Sequence, residues 1–179
     1  MIAIIDYGLG NINAICVAYK NMNISAKIAS QPSELENSDK FILPGVGAFD
    51  YAMNKLDNSG MRDTLHDLVQ IEKKDILGIC VGMQMLSKSS EEGERPGLGW
   101  LDAEVKKFNL NSDNLELLIP HMGWNNITLK KHNPLLAGLS NVTYYYFLHS
   151  YYFEAQDETN IVTTTHYGHD FVSTINKNN

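Results

Sequence analysis

The stretch Ile76-Leu77-Gly78-Ile79-Cys80-Val81-Gly82-Met83-Gln84 decides how the rest of the chain is read. A short apolar run ends in Gly-x-Cys-x-Gly and passes into residues that suit a helix. A strand that turns sharply into a helix at such a sequence lifts the central side chain above the edge of a sheet. The two glycines permit the tight turn and close packing around it. The pattern predicts a nucleophile elbow with Cys80 at its tip. The following helix is expected to aim its N-terminal amides and positive dipole end at the sulfur, favouring thiolate over thiol. The competing reading is a buried structural cysteine in an apolar strand. Glycines at both ±2 positions favour the nucleophile.

Upstream of the elbow, strand and helix patterns alternate. Ile2 to Ile5 is a continuous apolar run, the signature of a strand buried on both faces. Ile12, Ile15, Cys16 and Tyr19 fall on one face of a helix. Ala26–Ala29 and Phe41–Leu43 read as further strands, and helical pattern covers Asp50 to Leu56 and Met61 to Ile71. Downstream, after a polar loop from Ser89 to Gly99, short strands are expected at Ala103–Lys106, Glu116–Ile119, Ile127–Leu129, Tyr144–Leu148, Ile161–Thr164 and Phe171–Ile175. The fold class is α/β. It is an open, mostly parallel sheet with helices on both faces, plus antiparallel strands in the second half. Ligands of such sheets gather at the carboxyl ends of the parallel strands. Here those ends are Asp6-Tyr7-Gly8, Pro44-Gly45-Val46-Gly47 and Cys80-Val81-Gly82, all containing glycine.

The bulk numbers exclude several classes. The 179 residues suit one domain with a sizeable core, and the formal charge is -7. No basic cluster exceeds a Lys-Lys pair, so no nucleic-acid footprint is expected. No window approaches a membrane span, and two cysteines without a framework suit a reducing cytoplasm. No group of residues shows metal-ligand spacing, and no cofactor is expected. Gly8-Leu9-Gly10 invites a dinucleotide reading, but Asn13 stands where the third glycine of that fingerprint belongs.

Six strings in order carry a resemblance over nearly the whole chain. They are Asp6-Tyr7-Gly8-Leu9-Gly10-Asn11, Pro44-Gly45-Val46-Gly47-Ala48-Phe49, the elbow, Ser90-Glu91-Glu92-Gly93, Pro120-His121-Met122-Gly123-Trp124-Asn125 and Phe147-Leu148-His149-Ser150-Tyr151-Tyr152. The chain resembles the class I (triad) glutamine amidotransferases. Within them it is similar to the glutaminase subunits of imidazole glycerol phosphate synthases. The resemblance implies attack of a Cys80 thiolate on the side-chain amide of L-glutamine, a thioester intermediate, and release of ammonia and then glutamate. It implies an oxyanion hole from the backbone of Val81 and of Val46, with Val46 as a switch that responds to the partner. It implies a glutamine pocket formed by Gly45, Gly47, Gln84, Glu92, His149, Ser150 and Tyr151. Glu92 would meet the substrate's ammonium, with Glu91 and Glu94 as alternatives. Asn11, Trp124 and Tyr146 would meet a (β/α)8-barrel synthase subunit in a heterodimer that passes ammonia to histidine biosynthesis. For Pro120 to Trp124, interface and buried aromatic turn stand as equal readings.

One part is missing. The chemistry needs a general base and a carboxylate to orient it. The family supplies both from a His-Pro-Glu segment after a late strand, and none of the six histidines here begins a His-x-Glu. The expectation is a single glutaminase domain, residues 1–179, truncated at its C-terminus and inactive or poorly active as it stands. A catalytically dead scaffold subunit and substitution by His166 or His169 are the alternatives. Gly97-Leu98-Gly99-Trp100-Leu101-Asp102 opens a second pathway, in which a paralogous glutaminase feeds amidino-sugar formation on bacterial surface polysaccharides.

Overall fold

A computed structural model describes residues 1–109, 117–139 and 143–177. The elements begin with β1 (Ile2–Ile5), α1 (Ile12–Asn21), β2 (Ala26–Ala29), α2 (Pro32–Leu35), β3 (Lys40–Gly45) and α3 (Phe49–Asn58). α4 (Arg62–His66) runs on into a π-helical turn, Asp67–Ile71, where one continuous helix was expected. β4 (Asp75–Cys80) then leads directly into α5 (Val81–Gln84).

β1, β2, β3 and β4 form a parallel sheet in the order β2-β1-β3-β4. Each face has its own packing. Ile4 and Ile42 meet Ile12 of α1, joined by Ile15, Cys16 and Tyr19 as their spacing predicted. On the other face Ala3, Ile5, Phe41 and Leu43 meet α3, α4 and α5. In α3 the buried residues are Phe49, Ala52, Met53 and Leu56, a single stripe at helical spacing. Removing one such large side chain from water contributes on the order of 2 kcal/mol. The Asn11 side chain accepts from the Ala14 N–H at 3.1 Å and starts α1.

The second half is antiparallel except where β5 joins it. β5 (Ser89–Ser90), β6 (Ala103–Lys107), β8 (Thr128–Leu129), β10 (Tyr151–Ala155), β11 (Ile161–Tyr167) and β12 (His169–Ile175) form one sheet, ordered β5-β6-β10-β12-β11-β8. Ala103, Val105 and Phe153 of this sheet extend the larger core, which locks the two halves together. β7 (His121–Asn126) and β9 (Tyr144–His149) pair with each other as a separate two-stranded ribbon.

Three sequence expectations change here. β7 and β10 are strands that alternation did not reveal. Of the strand expected at Glu116–Ile119, Glu116 lies outside the described residues, and Leu117 to Ile119 are not strand. Pro120 to Trp124 is not a turn, and it is buried only at His121. Its last four residues lie in β7, with Trp124 71% exposed. Among the described residues no helix is long and apolar enough to cross a membrane.

Candidate active site

β3 and β4 run in register with Gly45 opposite Cys80, so the Pro44-Gly45-Val46-Gly47 loop and the elbow sit side by side at the carboxyl edge of the sheet. Cys80 takes φ 57° and ψ -120°, a left-handed-side conformation costly for any residue with a side chain. Backbone packing holds it there. A Cβ on Gly78 would lie 2.7 Å from the Gly82 carbonyl oxygen and 2.7 Å from the Met83 Cα. A Cβ on Gly82 would drive into the Leu43 carbonyl, and one on Gly45 into the Gly82 amide. Three glycines on two strands and a turn therefore interlock, and the strain at Cys80 is balanced by this close approach.

The cleft at this edge has a volume of about 290 Å³ and is lined by Gly47, Cys80, Val81, Gln84, Glu92, Pro120, Leu148, His149, Ser150 and Tyr151. It unites residues from five stretches of the chain, and seven of them were expected from the sequence as nucleophile, oxyanion or pocket residues beside Gly47. Two expected residues stand outside this lining. Gly45 is buried under the elbow as a packing surface. Val46 is not in the lining either; its side chain is half exposed at the rim, and Gly47, with φ +82°, is the loop residue facing the cleft. Pro120 and Leu148 are lining residues that sequence reasoning did not single out. The strings that contain them were the available signal.

Among the three acidic candidates, geometry selects Glu92. Its Oε2 accepts from the Phe49 N–H at 2.9 Å, which satisfies an otherwise free amide at the start of α3. Glu91 turns away, with Oε2 accepting from the Lys107 N–H at 2.8 Å. Glu94 is exposed, and its N–H donates to Asp50 at 3.0 Å. The Asp50 carboxylate also accepts from the Arg95 N–H at 3.0 Å, so α3 anchors the loop that carries Glu92. Beneath the nucleophile, the buried Tyr7 hydroxyl donates to the Pro44 carbonyl at 2.6 Å, one residue before the glycine loop. Burial is the main reason its phenol is pushed far up, and the neighbouring Cys80 adds to the effect.

The electrostatics of Cys80 differ from the expectation of a lowered pKa. Burial pushes its thiol up, the Val81 N–H bonded to the sulfur offsets part of this, and the Glu92 charge pushes it further up. The dipole of α5 does not reverse the balance, because that helix is only four residues long. Among the described residues no imidazole is hydrogen-bonded to the sulfur. His149 shares the cleft, yet its Nδ1 bonds the Tyr151 carbonyl at 2.8 Å and its Nε2 bonds His121 Nδ1 at 2.9 Å. His166 bonds Asp170 at 2.8 Å on the exposed β11–β12 hairpin, away from the residues that line the cleft. Among the described residues no group of three or more potential metal ligands is found.

The residues assigned to a partner lie elsewhere. Trp124 and Tyr146 are opposite each other on the ribbon, with ring centroids 5.8 Å apart in an edge-on arrangement. Both are exposed, as are Met122 and Leu148 on the same outer face. Asn11 is exposed at the start of α1. Trp100 is buried, and its indole N–H donates to His66 Nδ1 at 3.2 Å. It acts as a core residue against α4.

A cysteine on a strained, glycine-locked elbow, at the carboxyl edge of a parallel sheet and facing a cleft, is the arrangement found in α/β hydrolases with a cysteine nucleophile. Comparison with known proteins makes this particular. The family model described as glutamine amidotransferase class-I matches residues 3–179, and the chain belongs to that family. It is 46% identical to the imidazole glycerol phosphate synthase subunit HisH of Leptospira borgpetersenii, over all of this chain and 88% of that protein. It is 48% identical to the subunit of the same name from Bdellovibrio bacteriovorus, over 96% of this chain and 84% of that one. A crystal structure of a glutamine amidotransferase superposes with a TM-score of 0.69 at 19% identity, covering 92% of this chain and 84% of that one, which supports the fold.

Proposed function

We propose that the chain is the glutaminase subunit of an imidazole glycerol phosphate synthase. In this reading L-glutamine occupies the cleft with its side-chain amide at Cys80. The Val81 amide and an amide of the Val46 loop hold the developing oxyanion, and Glu92 faces the substrate's ammonium. Gln84, His149, Ser150 and Tyr151 form the wall, with Gly47 at the mouth. Ammonia passes to a (β/α)8-barrel synthase subunit that docks on the Asn11, Trp124 and Tyr146 surface. The single observation that carries the reading is the joint placement of the elbow, the glycine loop and Glu92 around one cleft.

The general base and its orienting carboxylate are proposed to come from a further strand of the same domain that pairs with β4. Among the described residues β4 is an edge strand, with Leu77 37% and Ile79 41% exposed on the sheet face that α1 covers only over β1 and β3. Its outer edge offers backbone N–H and C=O groups to which a further strand can pair, and parallel strands are ordinarily covered on both faces, so the bare face also has room for a segment that follows such a strand. In this reading an imidazole from that strand counters the burial and the Glu92 charge that push the Cys80 thiol up. The test combines the chain with the barrel synthase, with glutamine or ammonium salts as nitrogen source. The 179-residue chain is expected to support synthesis from ammonium and not from glutamine. A version carrying the further strand should gain glutamine-dependent synthesis and lose it again on Cys80→Ala. Glutamine-dependent turnover by the 179-residue chain, or its survival in Cys80→Ala, would reject this assignment. If the longer version is silent too, the scaffold reading replaces it.

A further inference from the structure

A chain of polar groups runs inward from the ribbon to the cleft, and backbone atoms at its two ends fix every proton in it. At the outer end the Asn126 N–H can only donate, and it meets Asn125 Oδ1 at 2.9 Å. The His166 carbonyl can only accept, and it meets Asn125 Nδ2 at 2.9 Å. The orientation of the Asn125 amide is thus set twice over. Its second N–H points at His121 Nε2, 3.2 Å away, which must carry a lone pair. His121 therefore holds its proton on Nδ1 and donates to His149 Nε2 at 2.9 Å. His149 in turn holds its proton on Nδ1 and donates to the Tyr151 carbonyl at 2.8 Å. That carbonyl also accepts from Gln84 Nε2 at 3.3 Å, the last residue of the elbow helix.

Both ring nitrogens of His149 are engaged, so it offers the cleft neither a free base nor a free donor. A proton added to either imidazole would face another N–H and break a link. The rings are also clamped by their neighbours. His121 is buried and stacks on Tyr167 at 4.0 Å and Phe147 at 4.9 Å, and His149 packs edge-on to Phe108 at 5.1 Å. Burial, with His149 beside it, brings His121 from 6.5 down to about 4, in keeping with a neutral chain.

We propose that His121 and Asn125 are positioning residues for the glutamine pocket: through His149 they fix the Tyr151 carbonyl and the Gln84 amide relative to the elbow. The inference rests on the glutaminase reading and extends it. It makes the inner face of β7 part of the pocket's support while the outer face of the same strand carries Met122 and Trp124.

The first test is imidazole ¹⁵N NMR on the chain as it stands. Both His121 and His149 should carry their proton on Nδ1, with Nε2 bare, at neutral pH. A proton on Nε2 of either ring overturns the inference. Asn125→Asp replaces the donor with an acceptor and should place a proton on His121 Nε2; Asn126→Asp, with the same added charge on the outer face, should not. The second test follows protection of Cys80 from iodoacetamide by glutamine. In His121→Phe, which keeps the ring stack, the glutamine concentration for half-protection should rise about tenfold. A change below about twofold, within the spread of one neutral hydrogen bond, overturns the inference. Should glutamine fail to protect the unmodified chain, the glutaminase reading falls, and the NMR result still decides the hydrogen-bond chain on its own.

Discussion

The elbow and the β7–β9 ribbon both contribute to one cleft, yet they are held in place by opposite means. At the elbow the backbone does the work: three glycines bring β3, β4 and α5 so close that side chains are excluded between them. In the ribbon, side chains do the work. Two strands that among the described residues pair only with each other are marginal alone, and the inner face is fixed by His121, Phe147 and His149 against Phe108 and Phe171. The outer face of the ribbon is bare. The difference teaches that the geometry at Cys80 rests on backbone packing that involves no titrating group, whereas the wall beside it depends on protonation and on what covers the ribbon.

The largest expected effect comes from breaking the backbone side of this comparison. Gly82→Ala pushes a methyl group into the Leu43 carbonyl, with the Pro44 carbonyl carbon 3.1 Å away, and neither atom can move without opening β3 from the elbow. A loss of about 3 kcal/mol or more is expected, read as a lowered urea midpoint. An unchanged midpoint would show that the elbow is not locked in this way.

Acid should break the ribbon first. His121 falls from 6.5 to about 4 on folding, and His149 is lowered as well, chiefly by burial. For such groups the unfolded chain binds more protons, so their contribution is complete above about pH 6.5 and is lost as pH falls toward 4. A loss of roughly 2 kcal/mol is expected over that window, seen as a falling melting temperature. The carboxylates of Glu34, Asp39, Glu91 and Asp157 are held low by hydrogen bonds and nearby cations, so their own contribution is lost at lower pH. A flat profile from pH 6.5 to 4.5, or one unaffected by His121→Phe, would contradict the neutral pair.

The smallest effect sharpens the contrast between the ribbon's two faces. Trp124→Ala removes an exposed ring whose main ordered contact is Tyr146. Stability of the isolated chain should change by less than about 0.5 kcal/mol. Affinity for the barrel partner should drop instead, measured by calorimetric titration. A large loss of stability without loss of partner affinity would assign the ring to the fold.

The parallel half was legible because its signals are local. The Ile2–Ile5 run, the spacing of Ile12, Ile15, Cys16 and Tyr19, and the Gly-x-Cys-x-Gly turn each specify a conformation within a few residues, and the structure has all three. The strand at His121–Asn126 was not legible, because Gly123 and two asparagines dilute its β signal and its pairing partners lie 18 to 28 residues away. The direction of the shift at Cys80 was not legible for a similar reason: the motif specifies the turn, but burial and the charge of Glu92, carried on a separate loop, push the thiol up.

The sequence by itself determined the class of fold, the elbow with Cys80 at its tip and the family, since short-range stereochemistry and motif spacing are written in consecutive residues. Only the tertiary structure decided that Glu92 rather than Glu91 or Glu94 faces the cleft, that Gly45 supports the elbow instead of lining the pocket, and that His149 is spoken for at both nitrogens. Those outcomes depend on which groups meet across long stretches of chain. There, hydrogen-bond donors and acceptors have to be matched in space, and no pattern of neighbours along the sequence records the match.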